Sequence, residues 1–356
     1  DRRQRQMCIR DSSIIKYEKG IYIMKIGIYN GIKDIEIKNV EMPKCGPKDI
    51  IIKNKYAAIC GSDISAYYHG GDDNRIFKGF EFGHEMISEV VEVGKEVDDI
   101  KVGQIVYPYP LTVKGDSSRS ATVGGFSEYI LCPNAKLNQT VFPLKENISL
   151  KTASLIEPFT VGTRAARRSR PQKGENAIVF GAGAIGLSAA IALKFFGCDK
   201  IMIVDLSDFR LEKCAKLGFE TCNSSKEDIK KKAIEYFGKA RGLMGETANV
   251  DIYIDAVGHE SVIHTFEEMT KLFAKMVIVG VHHKPLKVNF LPLTYAQYEF
   301  IGSGGYMVED VRDVMTIMGN GKYDIESIIT HEFKLDDLEQ AIIPVSYTHL
   351  TLPTIA

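Results

Sequence analysis

Cys60, His84 and Glu157 are donors of three different types, and each stands in a setting that suits metal chemistry. Cys60 opens Cys60-Gly61-Ser62-Asp63, His84 lies in Gly83-His84-Glu85, and Glu157 precedes Pro158 shortly before a glycine-rich loop. A thiolate, an imidazole and a carboxylate are ligand types that a catalytic zinc uses, and three protein ligands leave a fourth position for water or substrate. Singly, each is weak. A lone cysteine is usually a buried apolar residue, a lone histidine a core or surface group, and Glu-Pro a helix boundary. His69, His259, His264, His282, His283 and His331 take that ordinary reading. What sets the first three apart is their occurrence together, in fixed order with a nucleotide loop. The combination predicts a metal-assisted redox enzyme.

That loop is Gly181-Ala182-Gly183-Ala184-Ile185-Gly186, which follows an apolar strand and opens a helix. The context gives an otherwise weak pattern its meaning. Gly181 permits the tight turn, Gly183 lets the backbone approach a pyrophosphate, and Gly186 lets helix and strand pack closely. Ile185 inside the loop is counted with them as a cofactor contact. The diphosphate is expected at the helix N-terminus, where free N–H groups and the dipole favour anions. Asp205 ends the next strand, 24 residues after Gly181. A carboxylate there accepts the adenosine ribose hydroxyls and repels a 2′-phosphate. Arg210 is the one feature that suits the phosphorylated cofactor, and it is expected on the helix surface. The reading is NAD, with NADP as the minority case. The bland alternative is a glycine-rich turn that binds nothing.

The elements that must position these residues fall into two patterns. Met24 to about Asn39, Asp49–Ile59, Glu85–Val93, Ile100–Pro108 and Gly125–Leu131 read as short strands with Gly and Pro punctuation, the signature of a barrel-like β unit. From Ala177 the chain alternates strands (177–180, 201–204, 251–254, 275–281) with helices near 184–196, 209–217, 226–237 and 262–273. This alternation predicts a parallel, doubly wound α/β sheet. After about Leu291 the pattern is mixed, ends in a helix at 336–342, and is expected to return to the first domain. The expected division is 24–160, 161–291 and a return segment 292–344.

Composition narrows the class. The chain has 356 residues, 45% hydrophobic and 26% charged, with a net charge of −1. That balance gives no electrostatic footprint for nucleic acid or an anionic membrane. Seven cysteines without a CxxC pair fit a reducing cytoplasm better than a disulfide framework. No apolar run approaches the roughly 20 residues of a membrane helix. Residues 1–23 and 345–356 read as translated adapter DNA flanking the natural chain, with Met24 as the expected start and no function beyond about Pro344.

The whole set resembles the zinc-containing medium-chain dehydrogenase/reductase family, in particular its sorbitol, galactitol-phosphate, butanediol and threonine dehydrogenases. Besides the three donors, the likeness rests on Val93-Gly94, Gly124-Gly125-Phe126-Ser127-Glu128-Tyr129, Glu157-Pro158-Phe159-Thr160-Val161-Gly162 and Ile301-Gly302-Ser303. It implies a GroES-like β-barrel catalytic domain followed by a Rossmann domain, with zinc held at the cleft. It further implies Glu85 as an exchangeable fourth ligand, Glu157 bound directly or through water, Thr160 among the cofactor residues, and a homodimer or homotetramer. The stretch from Tyr107 to Gly124 lacks the closely spaced cysteines of a structural zinc lobe, so a single catalytic ion is expected. Many relatives carry a histidine where this chain has Ser65, so a proton route must use water, Tyr67 or His69. Gln104 replaces a common Asp and bears on a local turn.

The implied chemistry is oxidation of an alcohol bound at zinc. Ser62 takes the hydroxyl proton and passes it through the cofactor ribose, and hydride goes to nicotinamide. Ser62 could instead serve as a helix N-cap. The expected substrate is a secondary alcohol of a polyol, sugar alcohol or diol, or the corresponding ketone. A threonine-type amino alcohol is the nearest rival, and a non-catalytic nucleotide sensor is the rival from another class.

Overall fold

The computed structural model describes residues 16–18, 21–113, 123–348 and 354–355. The chain divides into two compact units, one running to Glu157 and resuming at Ile329, the other Pro158–Ile328. The flanking segments read as foreign lie largely outside the described residues, as does much of the stretch from Tyr107 to Gly124.

The first unit is built on β-strands rich in β-branched residues. Its smaller sheet comprises β1 (Lys16–Glu18), β2 (Ile21–Gly31) and β3 (Asp34–Glu41). Its larger sheet is centred on β4 (Ile50–Ala58), in which Ile50, Ile51 and Ile52 are all buried. A helix, α1 (Gly61–His69), follows β4. The next strands are β5 (Phe80–Glu81), which pairs with β2, then β6 (Glu85–Val93), β7 (Ile105–Pro108), β8 (Tyr129–Cys132) and β9 (Val141–Pro143). β4 pairs antiparallel with β6 on one side and β8 on the other. Its ladder with β6 is irregular between Ile51/Ile52 and between Asn54/Tyr56. Beside the second irregularity, the Asn54 side chain donates to the carbonyls of Gly125 (2.8 Å) and Ser127 (2.7 Å) and accepts from Ser88 Oγ (2.7 Å).

The register then makes the site. Ala58 faces Glu85 across the ladder, so the chain leaving β4 toward Cys60 and the chain entering β6 from His84 lie side by side. Strand pairing, rather than sequence proximity, brings these two segments together. The unit's core includes Tyr29, Ile52, Phe82 and Phe126, with the Phe82 and Phe126 rings edge to face at 4.8 Å. The short helix α2 (Leu150–Ala153) is capped by Ser149 Oγ, which accepts from Thr152 N at 3.0 Å. α3 (Ile156–Arg168) then begins at the boundary between the units.

The second unit is the expected parallel α/β sheet. Its strands are β10 (Ala177–Phe180), β11 (Ile201–Asp205), β12 (Glu220–Asn223), β15 (Ile252–Asp255), β16 (Lys275–Ile278) and β17 (Glu299–Gly302), in spatial order β12-β11-β10-β15-β16-β17. All five pairings are parallel. Strand order reverses between β10 and β15, which is the switch point where such sheets bind ligands beyond their carboxyl ends. The helices are α4 (Ala184–Phe195), α5 (Asp208–Lys216), α6 (Ile229–Phe237), α7 (Glu260–Met269), α8 (Phe290–Ala296) and α9 (Val308–Gly319). α4 is small and apolar through Ala189–Leu193, all buried.

Three elements depart from the sequence reading. The helix expected over 262–273 stops at Met269, because Phe273 adopts φ 64° and Lys271 bridges to Gly242. A hairpin of β13 (Lys239–Gly242) and β14 (Gly245–Ala248) occupies a stretch given no structure. The tail read as mixed contains β17 and the twelve-residue α9. The chain finishes in the first unit with β18 (Glu332–Phe333), α10 (Leu338–Thr348) and β19 (Thr354–Ile355). Leu338, Ala341 and Ile342 of α10 are fully buried in that unit's core.

Candidate functional site

Cys60 is the N-cap of α1, in extended conformation (φ −79°, ψ 157°). Its N–H donates to the Asp63 carboxylate at 2.9 Å, which fixes the first turn, and its thiol sits over that turn's open end, close to the Ser62 amide and hydroxyl. The cap is therefore Cys60, and the alternative reading of Ser62 as N-cap is excluded, since Ser62 lies inside the first turn. Its hydroxyl is buried without a hydrogen bond, although it lies near enough to the Cys60 sulfur to draw that thiol's pKa downward slightly.

The ligand atoms of Cys60, His84 and Glu85 lie within 4.8 Å of one another. Ligands around one zinc stand roughly 3–4 Å apart, so a sulfur, a nitrogen and an oxygen at this spacing fit such an ion with small adjustments. Glu85 Oε2 is buried and has no hydrogen-bond partner. An orphaned buried carboxylate oxygen is costly, and a cation would satisfy it. Glu157 lies outside this close group. It is 7% exposed, and its charge acts on all three members.

The electrostatics of the group are those of anions waiting for a cation. Burial, then the Asp63 and Glu157 charges, push the Cys60 thiol up to about 11. Burial, the Cys60 sulfur and Glu157 hold Glu85 well above the usual carboxylate range. For His84, burial alone would lower the pKa, but Glu157, Asp63 and Glu85 together raise it. Asp63 is 1% exposed; burial raises it, while His84 and the Cys60 amide oppose the rise. Asp63 was missed as a site residue because Ser-Asp before a helical run reads as a start signal.

Two substitutes named for a proton route are placed elsewhere. His69 is exposed at the far end of α1, roughly 10 Å along the axis from Ser62 at 1.5 Å per residue. The structure does not bring it to the donor group. The Tyr67 hydroxyl donates to Glu339 at 3.0 Å.

In the second unit, the nucleotide loop is shaped by close approaches. Gly181 has φ +98°, and a Cβ there would stand 3.1 Å from the Ala256 carbonyl. A Cβ on Gly186 would lie 1.8 Å from the Gly181 carbonyl oxygen, so only glycine allows this turn to close on its helix. Gly183 is the N-cap of α4 and supplies no side-chain cap, leaving the first-turn amides for an anion. Ile185 is half-buried. Asp205 Oδ2 accepts from Ala182 N at 2.7 Å, and Oδ1 accepts from Leu206 N (2.8 Å) and Ser207 N (2.9 Å). A carboxylate has about four acceptor positions, and these three amides leave one for a ribose hydroxyl.

Two expectations are corrected here. Arg210 is not merely on the helix surface: its Nη1 lies 3.5 Å from Asp205 Oδ2. Thr160 is fully buried on α3 and has no surface on which a cofactor could rest. It belongs to the helix packing in which Gly162 passes close to Ser188 of α4.

Residues 184–320 match the family described as Zinc-binding dehydrogenase, and residues 46–144 match the Alcohol dehydrogenase GroES-like domain. The chain is 29% identical over 338 residues to (R,R)-butanediol dehydrogenase of Bacillus subtilis (strain 168), covering 88% of this chain and 94% of that protein. It is 29% identical over 330 residues to sorbitol dehydrogenase of Arabidopsis thaliana, covering 87% of this chain and 88% of the relative. The crystal structure of 2R,3R-butanediol dehydrogenase from Bacillus subtilis superposes with a TM-score of 0.79 at 28% identity, covering 93% of this chain and 98% of that one. The chain belongs to the zinc-dependent medium-chain alcohol dehydrogenase family.

Proposed function

We propose that the protein is a dehydrogenase that moves hydride between a secondary alcohol of a polyol, sugar alcohol or diol and NAD. The observation that carries this is the donor group of Cys60, His84 and Glu85 with its unsatisfied carboxylate oxygen, in a chain that also holds a glycine cradle for a dinucleotide. The names of the relatives, butanediol and sorbitol dehydrogenases, give the substrate class.

Cys60, His84 and Glu85 would hold the zinc, with Glu157 acting on it through its charge or a water. When bound, zinc supplies a Lewis acid that lets an alcohol lose its proton near neutral pH. Ser62 is the residue beside Cys60 with an uncommitted hydroxyl, and it takes the substrate proton at Oγ. With Tyr67 engaged by Glu339 and His69 remote, Ser62 Oγ would be the chain's own group through which that proton passes toward solvent. Gly181, Gly183, Ile185 and Gly186 seat the diphosphate, and Asp205 selects the unphosphorylated ribose. One zinc per chain, a cytoplasmic setting and a homodimer or homotetramer complete the reading.

Arg210 beside Asp205 favours a second reading for the cofactor, since a guanidinium there can meet a 2′-phosphate. Screening polyols, diols and threonine against NAD and NADP, by absorbance of the reduced cofactor, tests both. A zinc-loaded enzyme that oxidises no alcohol with either cofactor refutes the proposal. Cofactor binding without stoichiometric zinc would favour a nucleotide sensor instead.

A further inference from the structure

Asp255 ends β15 at the switch point of the parallel sheet, directly across the ladder from Phe180 of β10. It is completely buried, and each of its oxygens is used. Oδ1 accepts from Val257 N and Gly258 N, both at 2.9 Å. Oδ2 takes the Nε2 of His282 at 2.7 Å. His282 belongs to the segment after β16, and its side chain is 15% exposed. A carboxylate buried this deeply is an acceptor, so the shared proton sits on Nε2, and Nδ1 is left as the imidazole's acceptor. No hydrogen bond to Nδ1 is made among the described residues.

The pair stands where the strand-end loops converge. A Cβ on Gly181 of the nucleotide loop would meet the Ala256 carbonyl at 3.1 Å, and one on Gly280 would meet Gly258 N at 2.3 Å. The Asp255 carbonyl also accepts from Val279 N and Gly280 N, tying the β16 loop to β15. Val257, two residues after Asp255, and Val281, next to His282, are 51% and 69% exposed, so this rim carries accessible apolar surface. A dinucleotide with its diphosphate at Gly181–Gly183 extends along the carboxyl edge of this sheet, across the switch point.

We propose that His282 is a cofactor-binding residue and Asp255 its positioning residue: Nδ1 accepts a hydrogen bond from a donor on the nicotinamide nucleoside, either a ribose hydroxyl or the carboxamide N–H. The inference rests on the dinucleotide reading given above, but not on the identity of the alcohol.

The test compares the purified full chain with its His282→Phe, His282→Asn and Asp255→Asn variants, measuring binding of NAD, ADP-ribose and ADP by calorimetry alongside the thermal midpoint. Phe keeps the ring and loses the acceptor, so NAD binding weakens about tenfold, equivalent to about 1.4 kcal/mol, while ADP binding is unchanged. Asn restores an acceptor oxygen near the place of Nδ1 and recovers part of the loss. Asp255→Asn keeps an oxygen for the two amides but offers N–H to the imidazole, which reverses the polarity of Nδ1 and reproduces the Phe defect. If ADP-ribose weakens with NAD, the donor is the ribose; if only NAD weakens, it is the carboxamide. ADP weakened as much as NAD, NAD binding unchanged by Phe, or Asn no better than Phe overturns the proposal. A wild-type chain that binds no NAD removes the dinucleotide reading itself, whereas wild-type binding with unaffected variants removes this inference alone.

Discussion

Cys60 concentrates the chemistry of this protein in one atom. Its sulfur is buried near two carboxylates, and its pKa is pushed up to about 11, so without a cation the thiol is protonated at neutral pH. A zinc held here would take the thiolate form, since a strong Lewis acid makes the deprotonated sulfur favourable. Cys60→Ser is therefore expected to abolish alcohol oxidation and remove stoichiometric zinc, with NAD affinity within about twofold of wild type. Turnover persisting in the metal-free variant would take zinc out of the mechanism. Asp205 poses the matching question for the cofactor. Asp205→Gly removes the charge that repels a 2′-phosphate and leaves Arg210 without its carboxylate. The ratio of kcat/KM for NAD over NADP should fall by about tenfold or more; an unchanged ratio contradicts the ribose assignment. Cys60, His84, Gly181, Gly186 and Asp205 could be picked out from type and spacing. Asp63, Asp255 and His282 could not, because the pairing that gives each a role comes from burial or from a contact 27 residues away.

At the scale of elements, the helix that presents Cys60 is held by one far along the chain. α10 buries Leu338, Ala341 and Ile342, and its Glu339 takes the Tyr67 hydroxyl of α1. Burial, then the Glu339 bond and charge, raise Tyr67 from 10.0 to about 12. A raised pKa in the folded state means that this pairing contributes fully below pH 10 and is lost as pH climbs toward about 12. The thermal midpoint of wild type should drop more steeply across that window than the midpoint of Tyr67→Phe. Parallel curves would show that the contact carries no stability. Four of the six parallel strands, β10, β11, β15 and β16, were legible because each is a short apolar run, almost wholly buried and closed by a turn or acid; β12 and β17, the two edge strands, carry polar and half-exposed residues and were not. Nor was the β13–β14 hairpin: Lys239-Ala240-Arg241-Gly242 alternates over only four residues and has no β-branched or aromatic side chain to mark a strand. Phe273 illustrates a different failure, since nothing in its side chain announces a left-handed backbone.

At the scale of the molecule, the proposed metal donors belong to the first unit and the proposed dinucleotide loop to the second. No described helix is long and apolar enough to cross a membrane. Removing zinc with a chelator should eliminate turnover and lower the thermal midpoint, because a ligand that binds only the folded state stabilises it by mass action. NAD binding should survive, and zinc added back should restore both properties. A midpoint indifferent to chelation would mean that the donor group holds no ion in solution.

The paired irregularities in the β4–β6 ladder bear on how this scaffold tolerates changes of length. Val91 is the unmatched residue at one and Lys55 at the other; since they fall on opposite strands they offset each other, and Ala58 meets Glu85 in step with Ile50 meeting Val93. Excising Lys55 would let Tyr56 follow Asn54 in regular alternation opposite Ile87 and Ser88, so the β4–β6 pair should still assemble. What would vanish is the extra coil that such an inserted residue imparts just before the strand releases Cys60. A one-codon deletion in this central strand would then spare folding and blunt zinc uptake, detuning the reactive centre without altering any of its ligands.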